Sequence, residues 1–136
     1  MAKTFRLEIV TPEAKTYSED VDMVNLPGSE GDMGIYPEHV PLLTQITAGE
    51  IGVIKGGEQQ FLAVGEGFVE ITGGKVAVLT DMAVKESEID EQAAEEARKR
   101  AEARMQEKLS DEEMASVSAA LAHSLAQLKV KRRRRH

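Results

Sequence analysis

The sequence predicts an α+β protein in which an N-terminal antiparallel β-sandwich or barrel is followed by a C-terminal antiparallel two-helix hairpin. All eleven glycines and all four prolines lie at or before Gly74, whereas residues 75–136 contain neither. Ten alanines lie between Ala93 and Ala126. Because glycine and proline mark turns while alanine favours helix, we place the boundary near Lys85 and predict domains over residues 1–85 and 86–136.

Short alternating strands are predicted along the first domain. Phe5, Leu7 and Ile9 alternate with polar residues, so they face one side of a strand. The glycine pairs at 56–57 and 73–74 each lie between two apolar runs, as in tight hairpin turns. Many short strands with regular turn signals are typical of a sandwich or barrel. Strands are predicted over residues 5–9, 21–27, 42–46, 50–54, 60–64, 68–71 and 76–79.

Residues 26–44 differ from the rest of this domain. Glycines fall at positions 28, 31 and 34, and prolines at 27, 37 and 41. Helices and regular strands tolerate that density poorly, so we predict one long loop with a single defined shape. Loops of this kind on a rigid scaffold usually carry recognition.

Two helices are predicted after residue 85. Ser87 with Asp90 three residues on predicts the cap of the first helix, and Ser110 with Glu113 predicts the cap of the second. Only a couple of residues near Leu109 separate the helices, so an antiparallel hairpin is expected. The first helix presents the apolar stripe Ile89, Ala93, Ala97, Ala101 and Met105, and the second presents Met114, Val117, Leu121, Leu125 and Leu128.

The alanine-rich stripe predicts a weakly held hairpin. Burying an alanine methyl group returns little free energy compared with a large aliphatic side chain. Alanine also has the highest helix propensity, so each helix can stay helical after it undocks. A small cost of opening and self-sufficient helices are the requirements of a two-state element.

Composition excludes several classes of function. The chain has no cysteine, which excludes disulfides and thiolate metal sites and fits a reducing compartment. No apolar run approaches the roughly 18 residues of a spanning helix, and residues 1–6 lead into no signal-peptide core, so we expect a soluble product that can dock on a membrane complex. There is neither a G-x-S-x-G elbow nor a Walker-type phosphate loop. We therefore expect no enzymatic activity and no cofactor.

The histidines and the glycine loop offer only weak site signals. His39, His123 and His136 lack the spacing of a metal site. His39 lies in the predicted loop, where it either satisfies loop carbonyl groups or contacts a partner. The G-x-x-G at residues 28–31 matches the bare clamp of a KH module, but Glu30 and Asp32 place negative charge where phosphates would lie.

Charge is distributed unevenly, although the net charge is −7. Residues 1–84 and 85–128 are both acidic, whereas residues 129–136 hold six basic residues and no acid. Three interpretations of this tail stay open: a solvated and frayed terminus, a segment that binds an acidic protein partner, or one that binds anionic lipid or nucleic acid. Without interleaved aromatic residues, nucleic acid ranks low.

The order of residues in 28–44 closely resembles the signature of the epsilon subunit of bacterial F-type rotary ATP synthases. Residues 65–71 and 76–81 are similar to the last β-hairpin of that family, and the charged, alanine-rich end is similar to its helical hairpin. The resemblance covers essentially the whole chain. The alternative is a free-standing β-sandwich adaptor whose basic hairpin binds nucleic acid or an anionic membrane surface.

The resemblance implies a non-catalytic central-stalk subunit of the proton-translocating ATP synthase. Such a subunit couples the rotor to the catalytic head during ATP synthesis and inhibits ATP hydrolysis through its C-terminal helices. The implied partners are the gamma subunit, the c-ring and the alpha/beta catalytic head, with no nucleic acid. The implied location is the cytoplasmic face of the bacterial plasma membrane, peripheral and in contact with the membrane only through the ring.

The resemblance also assigns expected contact residues. Ser29, Glu30 and Asp32, with His39 nearby, match the part of the family that lies at the c-ring and the stalk. Basic residues match in kind those that meet an acidic segment of the catalytic head: Arg98, Lys99, Arg100, Arg104, Lys108, Arg132, Arg133, Arg134 and Arg135.

One departure from the family concerns nucleotide binding. Members that bind ATP between the folded helices carry the motif [I/L]-D-x-x-R-A at the start of the first helix. Here residues 89–94 read Ile-Asp-Glu-Gln-Ala-Ala, and Ala93 stands where the arginine belongs. Since a phosphate-facing guanidinium is a strong charge-assisted donor, we expect this chain to bind ATP weakly or not at all.

Overall fold

The structure, a computed structural model, describes residues 3–133. Within that range ten strands precede two helices, which confirms the predicted α+β order. The strands are β1 (Phe5–Val10), β2 (Lys15–Val21), β3 (Met23–Gly28), β4 (Gly31–Ile35), β5 (Leu42–Ile46), β6 (Gly49–Lys55), β7 (Glu58–Val64), β8 (Gly67–Thr72), β9 (Lys75–Thr80) and β10 (Ala83–Lys85). A 3₁₀ turn over Glu86–Glu88 leads to α1 (Glu91–Arg104) and then α2 (Asp111–Arg133).

The strands form one sheet that curls into a flattened, nearly closed barrel. Their order is β10-β7-β6-β3-β5-β8-β9-β1-β2, with β4 paired to β3, and β2 packs back towards β6. All pairings within the described residues are antiparallel except that of β1 with β9, which is parallel. The predicted antiparallel sandwich or barrel is therefore confirmed, with one parallel pair added to it. The N-terminal strand returns there beside the last hairpin of the sheet.

The barrel interior is aliphatic, because alternate residues of each strand point inward. Leu7 and Ile9 of β1 are fully buried, while Arg6 on the same strand is exposed. Glu8 lies on the outer face, where hydrogen bonds from Lys75 and then Lys15 hold its pKa at about 2. Each large aliphatic side chain buried in this core contributes about 1.5–3 kcal/mol.

The prediction of one long loop over residues 26–44 was wrong. Residues 23–35 form the β3–β4 hairpin, in which Gly28 pairs with Gly31 around Ser29 and Glu30. Gly31 has a φ of 125°, and a Cβ at Gly28 would lie 2.5 Å from the carbonyl oxygen of Gly31. The glycines therefore build a tight turn inside the sheet, and only residues 36–41 are irregular.

Two other strand predictions need correction. The strand expected over 21–27 begins at β3, because the chain breaks at Asp22 after a separate strand β2. The Asp22 amide donates to the Ile54 carbonyl at 2.8 Å, and its carboxylate accepts from the Gly56 amide at 2.8 Å. Strand β10 was not predicted, since three residues are too few to show an alternating pattern.

The helix caps match the sequence at one end of the hairpin only. Ser110 Oγ accepts from the Glu113 amide at 3.1 Å and Glu113 Oε1 accepts from the Ser110 amide at 3.2 Å, so the capping box of α2 is confirmed. The cap of α1 is Asp90, whose Oδ1 accepts from the Ala93 amide at 3.0 Å. Ser87 lies instead in the preceding 3₁₀ turn, so its predicted role was wrong.

Helix α2 lies between α1 and the outer surface of strands β6 and β7. Its residues Ala126 and Val130 pack with Ala63 of β7 and with Ile89 before α1. Two members of the predicted stripes are misplaced: Ala93 is exposed while Ala94 is buried, and Leu125 is 47% exposed. Because α2 is buried against both α1 and the barrel, its buried residues differ from the single stripe that a simple two-helix hairpin predicts.

Neither helix among residues 3–133 combines the length and the hydropathy that a bilayer crossing requires.

Candidate interaction surfaces

The tight turn between β3 and β4 forms the first surface. Ser29, Glu30 and Asp32 are all exposed there, and the Ser29 amide is held 3.4 Å from the Gln45 carbonyl oxygen. The two carboxylates make this tip of the barrel acidic. A tight hairpin rather than a long loop thus presents three of the four residues predicted at the ring and stalk.

His39 does not join this turn. The five residues of β4 separate the two places, a path of roughly 17 Å at the rise of a β-strand. His39 lies instead beside Phe5 and Thr72, at the opposite end of the barrel. Its Nδ1 lies 2.8 Å from the Val40 carbonyl oxygen, a contact that fits the alternative of a histidine satisfying a loop carbonyl group.

The second surface is an apolar patch on the outer face of the barrel. Leu43, Phe68 and Leu79 are 67%, 48% and 49% exposed. Phe68 pairs directly with Leu79, Leu43 pairs with Glu70 two residues along β8, and Leu79 pairs with Val10 of β1. Contiguous exposed apolar side chains across paired strands mark an interaction surface.

Sequence reasoning missed this apolar patch. Phe68 and Leu79 lie within short apolar runs, which predict strands without indicating that these two side chains point outward. The available signal was the phase of the alternation: Val69 and Ile71 fill the inward positions of β8, so Phe68 must point outward.

The third surface is the charged helical hairpin, whose basic residues are largely paired within the chain. Arg132 donates to Glu91 at 3.0 Å and to Glu95 at 2.8 Å, and Arg133 donates to Glu50 of β6 at 2.6 Å. These contacts argue against the interpretation of the tail as a solvated, frayed terminus, as far as residue 133. Arg134 and Arg135, predicted to belong to the same set, lie outside the described residues.

The remaining predicted basic residues divide into paired and exposed groups. Arg98 bonds to Glu95 and Glu102, and hydrogen bonds from Arg98 first and Arg132 next hold the pKa of Glu95 at about 2. Arg104 lies 3.5 Å from Glu113 across the hairpin turn. Exposed side chains on the same hairpin are Lys99, Arg100 and Lys108.

A histidine–aspartate contact connects α2 to the barrel. His123 Nε2 lies 3.0 Å from Asp81 Oδ1 without the alignment of a hydrogen bond, so the two form an ion pair only when the ring is protonated. A Cβ at Gly65 would lie 1.8 Å from the same carboxylate oxygen. Glycine at position 65 therefore makes room for this contact.

The start of α1 lacks the features of a phosphate site. Ala93 is exposed, and its amide is already bonded to the Asp90 carboxylate. Carboxylates at Glu91 and Glu95 lie close to Arg132, so this guanidinium group is already paired within the chain. Among the described residues no group of three or more histidine, aspartate or glutamate side chains is arranged to hold a metal ion.

Comparisons with known proteins match both parts of the chain. The family model described as ATP synthase, Delta/Epsilon chain, beta-sandwich domain matches residues 4–86, and the long alpha-helix domain of the same chain matches residues 87–132. An ATP synthase epsilon chain of Desulforamulus reducens is 40% identical over 129 residues, which cover 95% of this chain and 98% of the relative.

Two solved structures share the fold. A chain in the Euglena gracilis mitochondrial ATP synthase (OSCP/F1/c-ring) superposes with a TM-score of 0.74 at 23% identity, covering 93% of this chain and 79% of its own. A chain in the central stalk and c-ring of the Tetrahymena thermophila mitochondrial ATP synthase gives a TM-score of 0.66 at 10% identity, with coverage of 95% and 97%. At these identities the likeness concerns the fold alone.

Proposed function

This chain belongs to the ATP synthase delta/epsilon chain family, and we propose that it is a non-catalytic central-stalk subunit of a proton-translocating ATP synthase. In this role it couples the rotor to the catalytic head during ATP synthesis and inhibits ATP hydrolysis through its helices. The observation that carries the proposal is a nearly closed barrel on whose outer surface the helical hairpin packs through one small cluster, in which Ala63, Ala126 and Val130 are buried with Ile89. The family match gives no support to the free-standing adaptor alternative.

The barrel is the anchoring part in this proposal. Its apolar patch, formed by Leu43, Phe68 and Leu79, would pack on the gamma subunit, because a protein interface is the usual cover for such a surface. The acidic turn at Ser29–Asp32 would face the c-ring. Since His39 lies at the other end of the barrel, we assign it to the stalk side rather than to the ring.

The hairpin is the regulatory part. In its open state α1 and α2 would reach the catalytic head, where the basic residues of the hairpin would meet an acidic segment of the alpha/beta subunits. The structure describes the docked state, in which α2 packs on β6 and β7. Membrane contact would be indirect, through the ring, at the cytoplasmic face of the bacterial plasma membrane.

Nucleotide binding is not part of the proposed function. Because Ala93 replaces the motif arginine, we expect the isolated protein to bind ATP no more tightly than about 100 µM. Calorimetric titration of the isolated chain with ATP measures this directly. A dissociation constant well below that value would contradict the expectation.

The decisive experiment removes the hairpin. A chain ending at Lys85 keeps all ten strands, so we expect the complex to assemble and to synthesise ATP while its rate of ATP hydrolysis rises. Full-length chain in the same complex is the reference. An unchanged rate of hydrolysis would refute the inhibitory role. Replacing Arg132–Arg135 with alanine then tests whether the basic end supplies part of the inhibition.

A second experiment tests the anchoring surface. Changing Leu43 and Phe68 to serine removes exposed apolar area without touching the core, so we expect loss of the subunit from purified complexes with little change in thermal stability. Leu125→Ser is the matched control, because Leu125 is also exposed but lies on α2. Equal retention of both variants in the complex would exclude the apolar patch as the anchor.

A further inference from the structure

The basic end of α2 is connected to three other elements by its own side chains. Arg132 bonds to Glu91 and Glu95 on α1, and Arg133 bonds to Glu50 on β6. Lys131 donates to the Glu86 carbonyl oxygen in the 3₁₀ turn at 3.3 Å, and its Nζ lies 3.7 Å from the carboxylate of the same residue. The docked position of α2 is therefore marked by ion pairs at its last turn.

The carboxylates in these pairs are shielded more than the arginines that contact them. The side chains of Glu50, Glu91 and Glu95 are 12%, 27% and 23% exposed, whereas Arg132 and Arg133 are about half exposed. Partial burial strengthens an ion pair because less water screens it. Arg132 also bridges two carboxylates of α1 one turn apart, the kind of shared contact in which pairs reinforce one another.

We infer that Glu50, Glu91 and Glu95 act as an internal acidic substitute, which holds Arg132 and Arg133 in the docked hairpin and competes with an acidic protein partner for the same guanidinium groups. The inference rests on the proposed function, since it names the contacts that regulate the same hairpin. Docking within the chain and binding to the partner become mutually exclusive uses of two arginines. The three glutamates then set how readily the hairpin is released.

If the glutamates and the partner compete for the arginines, substitutions of the glutamates and of the arginines should differ in their effect on the assembled enzyme. A contact that served only docking would give both kinds of substitution the same effect. Neutralising the glutamates removes the docked-state pairs with Arg132 and Arg133, together with the pair of Glu95 and Arg98 inside α1, so it favours the open hairpin and leaves the arginines of α2 available to the partner. Removing the arginines weakens both states. The two changes should therefore open the isolated chain alike but have opposite effects on the assembled enzyme.

The first measurement uses the full isolated chain. Since the protein has no cysteine, Thr72→Cys and Ser118→Cys, both at exposed positions on the barrel and on α2, accept spin labels without competing sites. Pulsed electron paramagnetic resonance then gives the distribution of distances between the two spin labels. We expect E50Q/E91Q/E95Q to raise the undocked fraction about 3- to 10-fold at low salt, and added salt to raise it in the unsubstituted chain.

The control variant carries three substitutions that remove the same total charge from ion pairs without a partner on α2. It consists of Glu38, which pairs with Lys3, Glu102, which pairs with Arg98, and Glu107, which pairs with Arg104, each changed to glutamine. We expect its distance distribution to match that of the unsubstituted chain. If both triples give the same undocked fraction, the inference is wrong.

The second measurement uses the assembled ATP synthase. We expect E50Q/E91Q/E95Q to lower ATP hydrolysis below that of the unsubstituted complex, and R132A/R133A to raise it. Identical effects of the two variants on hydrolysis would overturn the competition. Failure of the chain ending at Lys85 to release hydrolysis would instead refute the inhibitory role, whereas opening of the isolated triple variant is independent of that result.

Discussion

Val130→Ala tests how firmly α2 is attached to the barrel. The side chain is fully buried and packs with Ala63, Ile89 and Ala126. The substitution removes two methyl groups, worth about 0.8 kcal/mol each in transfer free energy, and leaves a small cavity. We expect a loss of about 2 kcal/mol of docking free energy. That is about 30-fold in the ratio of docked to undocked hairpin.

Hydrogen exchange of the backbone amides measures this loss locally. Undocking exposes α2 while the barrel stays folded, so we expect the exchange of amides in the second half of α2 to accelerate about 30-fold under conditions of fast reclosing. The amides of β1 and β9, which lie in the barrel, should keep their protection. Far-ultraviolet circular dichroism should change little, because both helices are expected to stay helical once undocked.

Val78→Ala is the matched control, since Val78 is also fully buried but lies in the barrel core. It should accelerate exchange of the slowest barrel amides and lower the free energy of global unfolding. If Val130→Ala instead accelerates α2 and the barrel amides equally, the helices leave only when the whole chain unfolds. The idea of a separately opening hairpin would then be refuted.

Three further predictions concern the barrel. Gly67→Ala should lower the free energy of unfolding in urea by more than about 3 kcal/mol, because its Cβ would lie 1.9 Å from a backbone oxygen of β9. Gly73→Ala should change this free energy little, because its Cβ would meet no atom within 4 Å. In a Tyr36→Phe background, the Tyr17 phenol should ionise near pH 12, because burial first and the Glu19 charge second raise its pKa to about 12. Its contribution to stability is therefore present below about pH 10 and is lost as pH rises through 12. Glu8→Gln should flatten the loss of stability between about pH 4.5 and 2, because the lowered pKa makes this carboxylate stabilising above its ordinary value of 4.5 and not below about 2.

The fold class follows from the sequence because its two signals are local. Turn glycines and alternating strands need only near neighbours, and Ser110 with Glu113 encodes a cap within one helical turn. The misread segment over residues 26–44 shows the limit of this logic. Glycines at 28 and 31 build a hairpin as readily as a loop, and the decision depends on pairing of β3 with β6, which is distant in sequence.

Sequence spacing does not show how distant elements arrange the predicted site residues in space. Nothing in the sequence separates His39 from Ser29, since both lie in one glycine- and proline-rich segment, yet β4 carries them to opposite ends of the barrel. The basic residues of the hairpin are recognisable as a group in the sequence, and their contact with the catalytic head stays a prediction. Arg132 and Arg133 contact glutamates of α1 and β6 because of where α2 packs. Sequence spacing alone does not predict that position.

The parallel pairing of β1 with β9 has a consequence during synthesis on the ribosome. The first strand emerges early and can pair at once with β2, but its other neighbour is not complete until Thr80 has left the exit tunnel. The nascent sheet therefore keeps an open edge while most of the chain is being translated, and such edges invite association with other chains. Its closure precedes the emergence of both helices, so the hairpin meets a finished surface.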